Sequence, residues 1–383
     1  MRWSSGAVCG KPHPTTIMIT NTNDNVREVV RTGPVTAAVS NREVFFGIDT
    51  SAANQVVTII EAGQSPKPAL GMTKDTLLKR VATYLKAGFA VRCVYETGPT
   101  GFAMARELIA LGAECLVVRA RALERNGRRR KNDKRDSLQL ALDLGLHLAG
   151  RTGALFPVRI PTPDEELIRL PARERQTFSD LRGQLLRSAT GRALALGYKL
   201  PKEWWRPRVL PKLLPELPAA LGTLLKRAAA AAAAIKEQLD AVEEEIEAAA
   251  PPTPVGLGKV TAGILDREVQ DWDRFKSGKK AGSFIGLSPS EDSSGGRWQL
   301  GPVDKHGSPR LRFWCVEAAW RLFKFQPNYR GVIWAREKLR DANKSRLKQI
   351  NIALARRFFV DWWRIRTGRV KAEDLGFIFK TTA

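Results

Sequence analysis

Two periods of apolar residues divide this chain. From residue 44 to 118, short apolar runs of strand length alternate with stretches of helical spacing. Val44, Phe45, Phe46 and Ile48 make a β-branched and aromatic run that ends on an acid, Asp49. Ser51 to Asn54 have turn chemistry, and Val56, Val57, Thr58, Ile59 and Ile60 make a second strand. After the breakers Pro66, Pro68 and Gly71, residues 74–87 set Leu77, Leu78, Val81, Tyr84 and Leu85 on one side of a helix. Residues 90–95 read as a buried strand that again stops on an acid, Glu96. Residues 101–111 read as a helix and 115–118 as another strand. A further helix begins near Asp133, because residues 136–144 are rich in helix formers with apolar residues at turn spacing. This alternation predicts an α/β layer with a parallel portion.

The pattern changes from residue 161. Pro161, Pro163 and Pro171 mark a linker, residues 165–196 read as helix, and Glu203, Trp204, Trp205, Arg206 and Pro207 interrupt it. Leu221, Leu225, Ala228, Ala232, Ile235, Leu239, Val242 and Ile246 then recur at alternating steps of four and three. That is the spacing of a coiled-coil seam, and it predicts an inter-helix or inter-subunit coil. The alternative is a lone alanine-rich helix packed on its own domain. Pro251 and Pro252 end the run. The expected organisation is a flexible extension over 1–42 (or the product of a misassigned start codon), an α/β domain over 43–160, a helical linker and coiled coil over 161–250, and a mostly α domain over 251–383.

Charge narrows the partners. The 63 Lys and Arg outnumber the 39 Asp and Glu, for a net charge of +24. Such a chain repels itself and suits a polyanion, with nucleic acid ahead of a membrane surface. Nine Lys and Arg fall between Arg119 and Arg135. Fifteen more lie between Arg321 and Lys371, interleaved with aromatic residues. Most of those aromatics should be core, and a few can stack on bases or sugars. Cys9, Cys93, Cys115 and Cys315 make no CxxC pair, and the three histidines are scattered, so neither a zinc site nor a disulfide framework is expected. With no apolar run of membrane-spanning length, the expectation is a soluble protein of a reducing, prokaryotic cytoplasm, associated with the nucleoid.

Candidate chemistry begins in the basic run Lys131-Asn132-Asp133-Lys134-Arg135-Asp136. Asp133 and Asp136, three apart, share one helix face. Asp49 and Glu96 end strands, where α/β sheets form their sites. Four such acids at one edge would need a cation between them, and Mg2+ (or Mn2+) is the expected occupant. The bland alternative is a helix start with acids at its positive end. Arg128, Arg129, Arg130, Lys131, Lys134 and Arg135 are candidate phosphate contacts. In the last domain Gly256 and Gly258, followed by Lys259, resemble a helix-hairpin-helix turn that holds a DNA phosphate. Phe284 to Pro289, Ser293-Ser294-Gly295-Gly296-Arg297, Gly301, Lys305, Gly307, Arg310 and Arg312 form a segment rich in small residues and cations. There a backbone can approach a ligand and a serine can act as nucleophile. The alternative is a Gly/Ser turn in a polar loop.

These residues together resemble the DEDD-type insertion-sequence transposases, also called Piv invertase-like or bridge-RNA-guided recombinases. The likeness rests on Gly47-Ile48-Asp49, Glu96-Thr97-Gly98, Asn132 to Asp136 after the Gly127-Arg128 loop, and the block from Gly286-Leu287-Ser288-Pro289 through Ser293-Ser294-Gly295-Gly296 to Arg312. It covers about residues 43–370, with Asn132 where the family usually has Thr and Ser137 where it usually has Ala. The resemblance implies a RuvC-like (ribonuclease-H-type) catalytic domain, a coiled coil and a C-terminal transposase domain. It maps an acidic tetrad onto Asp49, Glu96, Asp133 and Asp136. It maps a catalytic serine onto Ser293 or Ser294, with Ser293 preferred. It further implies dimers or tetramers acting on donor and target DNA, guided by a bridge-type noncoding RNA. A RuvC-like nuclease or junction resolvase using water as nucleophile, and an inert basic scaffold, are the rival readings.

Overall fold

The computed structural model describes residues 42–98, 100–119, 133–151, 153–291, 300–340 and 344–379. The expected extension over 1–42 therefore lies, but for Arg42, outside the described residues. The chain divides into two compact units, one ending at Glu166 and one running from Leu167.

In the first unit, strands β1 (Glu43–Thr50), β2 (Gln55–Glu61), β3 (Leu70–Met72), β4 (Ala90–Glu96), β5 (Glu114–Val118) and β6 (Pro157–Val158) form one sheet in the order β3-β2-β1-β4-β5-β6. β1, β4 and β5 run parallel, while β2, β3 and β6 are antiparallel to their neighbours. The parallel portion expected from the sequence is thus the centre of a mixed sheet. Side-chain alternation along each strand sorts the two faces. Val44, Phe46, Ile48, Cys93, Tyr95, Cys115 and Val117 pack with Leu77 and Val81 of α1 (Lys74–Lys86) and with Met104 and Leu108 of α2 (Ala103–Ala110). Phe45, Val94, Leu116 and Val118 face the other way, onto Leu140 and Leu144 of α3 (Asp133–Leu148). Arg92 ties the lower edge together through Glu43 at 3.1 Å and a second ion pair to Glu114.

The short helix α4 (Pro163–Ile168) leads into α5 (Leu170–Ala195), and α6 (Leu210–Leu213) precedes α7 (Ala219–Ala248). The expected proline linker is corrected here: Pro163 opens α4 and Pro171 sits in the first turn of α5, where a missing N–H costs no helical bond. The seam residues Leu221, Leu225, Ala228 and Ala232 are buried against Leu186, Ala189 and Ala193 of α5. At the far end Ile246 meets Ala172, and Arg175 pairs with Glu243 at 2.6 Å, so the two helices run antiparallel. Trp204, from the stretch that interrupts the helical pattern, is 1% exposed and donates its indole N–H to Thr190 Oγ1 at 2.9 Å.

The rest of this unit comprises α8 (Lys259–Val269), α9 (Gly278–Phe284), a hairpin of β7 (Pro289–Glu291) and β8 (Leu300–Val303), then α10 (Pro309–Phe325), α11 (Arg330–Leu339) and α12 (Lys344–Arg366). Of its interleaved aromatics, Tyr329, Phe358, Phe359, Trp362 and Trp363 are core, whereas Phe313, Trp320 and Phe325 are exposed. Buried Gln326 donates to the carbonyls of Val255 and Ile378 and accepts from the Ile378 amide, which closes the C-terminal segment onto the start of the domain.

Candidate active site

Asp49 stands near the carboxyl end of β1. Ile48 pairs with Tyr95, so Asp49 and Glu96 extend two adjacent parallel strands past the same rung. Both point to the face covered by α3, because Phe45 and Val94, an even number of residues earlier on the same strands, pack there. Helix α3 begins at Asp133, at that edge, with Asp136 one turn on. Asp49, Asp133 and Asp136 each offer a carboxylate oxygen, and these oxygens lie within 4.8 Å of one another. Asp49 and Asp136 are half-buried and Asp133 is exposed. Glu96 shares the face and the edge, but the close group comprises the three aspartates alone among the described residues.

What lets α3 come so near is Gly47. A Cβ there would lie 2.1 Å from the carbonyl oxygen of Ser137 and 2.4 Å from the amide of Ala141. No side chain fits, and the helix backbone rests directly on the strand. Two residues later on the same face, Asp49 meets the first turn of that helix.

This donor set fits a hard divalent cation. Oxygen ligands about 2.1 Å from one ion sit roughly 3–4 Å from each other, a separation compatible with three oxygens that all lie within 4.8 Å of one another. Asp49, Asp133 and Asp136 would hold the ion, with Glu96 beside them. Lys134 and Arg135, exposed in the same first turn of α3, add two positive charges between Asp133 and Asp136 in the chain. Arg128, Arg129, Arg130 and Lys131, the other basic-loop candidates, lie outside the described residues. Among the described residues no thiol joins this group. Cys93 and Cys115 pack on the opposite face of the sheet, where burial pushes the Cys115 thiol up to about 12 and raises Cys93 well above its ordinary range.

Ser293, Ser294 and Arg297 also lie outside the described residues, in the connection between β7 and β8. The base of that hairpin is described. Gly286, at φ +66°, and Gly307 cross backbone to backbone: a Cβ on Gly286 would lie 2.4 Å from the Gly307 amide, and one on Gly307 would lie 2.2 Å from the Gly286 amide. These glycines therefore admit a second stretch of chain, where the sequence suggested room for a ligand. Arg312 donates to the carbonyls of Ile285 and Lys305 from beneath the crossing, and Arg310 pairs with Glu268 at 2.9 Å. Both arginines thus have structural partners, while the side chain of Lys305 is exposed. At the other glycine motif, Gly258 is the extended residue before α8 and Lys259 is exposed. Arg321 donates to the Gly256 carbonyl at 2.8 Å.

Residues 253–332 match the family model described as the transposase IS116/IS110/IS902 family. The chain is 28% identical over 309 residues to "Putative transposase y4qE" of Sinorhizobium fredii, covering 76% of this chain and 74% of that protein. It is 25% identical over 395 residues to "Putative transposase y4rJ" of the same organism, covering 91% and 97%. A third match, 30% identical over 112 residues, is to "Transposase for insertion sequence element IS1328" of Yersinia enterocolitica, over 27% of this chain. These matches support an insertion-sequence transposase. Among the described residues no helix is long and apolar enough to cross a membrane.

Proposed function

We propose that this chain is a DNA transposase that moves or inverts its own insertion sequence, with a metal-binding acidic tetrad and a serine nucleophile. The observation that carries the metal half is the meeting of Asp49, Asp133 and Asp136 at the carboxyl edge of a sheet whose centre is parallel. The strand order, with β1 central and β2 antiparallel to it, supports a RuvC-like reading of the first unit. Glu96, on the same face and edge, completes the DEDD set.

In this reading the three aspartates and Glu96 hold Mg2+ or Mn2+, which would supply charge neutralisation at the phosphate and a lowered pKa for a bound hydroxyl. The Oγ of Ser293 forms a bond to a DNA phosphorus while one P–O ester bond breaks. The serine proton passes to solvent and the leaving oxygen takes up a proton, leaving a phosphoserine link that a second DNA end resolves. Lys134, Arg135, Lys259 and Lys305, with the basic residues of 128–131 and Arg297, neutralise phosphates of donor and target DNA. Members of the resembled family take base choice from a bridge RNA, and the two separate basic regions suit a protein that holds RNA as well as DNA. A dimer or tetramer is the expected working form.

The test is a denaturing gel of protein incubated with labelled element-end DNA. A DNA-shifted protein band is expected, abolished by Ser293→Ala with DNA binding retained. A band that survives Ser293→Ala and disappears in Ser294→Ala moves the nucleophile by one residue. Strand breakage with no adduct in any sample returns the chemistry to water and a nuclease. Recombination by protein freed of RNA with ribonuclease would remove the RNA guide.

A further inference from the structure

The first turn of α3 carries two of the three close carboxylates, and Thr58 takes hold of that turn from the sheet. Thr58 lies in the middle of β2, directly opposite Gly47 in the antiparallel register, and is 1% exposed. Its hydroxyl is 2.9 Å from the hydroxyl of Ser137, which is 0% exposed on α3. The Ser137 hydroxyl in turn donates to the carbonyl of Lys134 at 3.1 Å. That carbonyl has no proton to give, and Ser137 has one. With both contacts made, Thr58 O–H donates to Ser137 Oγ, and Ser137 O–H donates to Lys134 C=O.

Gly47 and Thr58 divide the work on neighbouring strands. The glycine removes the side chain that would keep the helix away. The threonine takes hold of the helix through a buried polar contact, which is costly to leave unmade and so fixes one rotation. Lys134 lies between Asp133 and Asp136, so the relay ends on the backbone that aims both carboxylates toward Asp49. We infer that Thr58 and Ser137 are positioning residues that set the geometry of the divalent-cation site through this two-hydroxyl relay. The inference rests on the metal reading proposed above.

The test is Mn2+ binding to the full-length protein, followed by electron paramagnetic resonance, with folding monitored by circular dichroism. Thr58→Val keeps the shape of the side chain and leaves the Ser137 proton on Lys134, so no buried donor is orphaned. It is expected to weaken Mn2+ about tenfold, the size typical of groups that orient metal ligands. Thr58→Ser, which restores the hydroxyl, should recover the affinity. Should Thr58→Val not fold, Thr58→Val with Ser137→Ala replaces both partners together and tests the same loss. Wild-type binding that is unchanged in a folded Thr58→Val protein overturns the positioning role and leaves the metal site intact. No Mn2+ binding by wild type, or binding indifferent to Asp49→Asn, overturns the metal reading and this inference with it.

Discussion

Gly47 is the residue on which the geometry of the sheet edge most depends. Its missing Cβ lies against the backbone of α3, at 2.1 Å from one atom and 2.4 Å from another, so no rotamer change can relieve a substitution. Gly47→Ala is expected to destabilise the first unit by about 1–3 kcal/mol, the usual cost of overpacking a filled core, measured as a lowered urea midpoint. A variant as stable as wild type would mean that α3 stands farther from β1 than described. The sequence made part of this visible. Asp49, Glu96, Asp133 and Asp136 announced themselves by type and by position at element ends, and three of them meet. The need for glycine at position 47 was hidden, because a strand pattern says which face a residue takes and not what lies above it. Thr58 was hidden for a similar reason: in an apolar strand it reads as another β-branched residue until its partner 79 positions away is known.

At the scale of elements, periodicity located β1, β2, β4 and β5 and the helices around them closely. It left out β3 and β6, short edge strands whose two or three residues are too few to show a period. It also found the stripe on α7 without identifying what covers it. A seam of small and branched residues looks the same whether its partner is a second subunit or a helix of the same chain. Here α5 covers Leu221, Leu225, Ala228 and Ala232. Leu225 is 0% exposed, so Leu225→Ala should cost about 2–5 kcal/mol as a cavity-forming change. Thermal melting followed by circular dichroism would show it, with the subunit stoichiometry unchanged in sedimentation. Loss of oligomers without loss of stability would instead assign that stripe to an inter-subunit contact. The prolines misled because Pro breaks a helix in its interior and favours its first turn, and composition alone does not say which applies.

The whole molecule is governed by its charge. A net +24 in 383 residues leaves more cations than acids to pair with them, and counterion release should dominate DNA affinity. Binding to a duplex is expected to fall at least about 1000-fold between roughly 50 and 200 mM salt, the loss typical of six or more phosphate contacts. Fluorescence anisotropy at stepped salt would measure it, and a shallow slope would point to few phosphate contacts. The C-terminal match at residues 253–332 and the acidic edge of the first unit lie in different units, so neither feature alone makes the case for a transposase with a metal site. Strand breakage of labelled element-end DNA, run with Mg2+ and with chelator, joins them most directly. Breakage is expected only with Mg2+, with a loss of about 100-fold or more in Asp136→Asn, since a catalytic metal supplies several kcal/mol. Breakage that persists in chelator, or at the wild-type rate in Asp136→Asn, would contradict the metal reading.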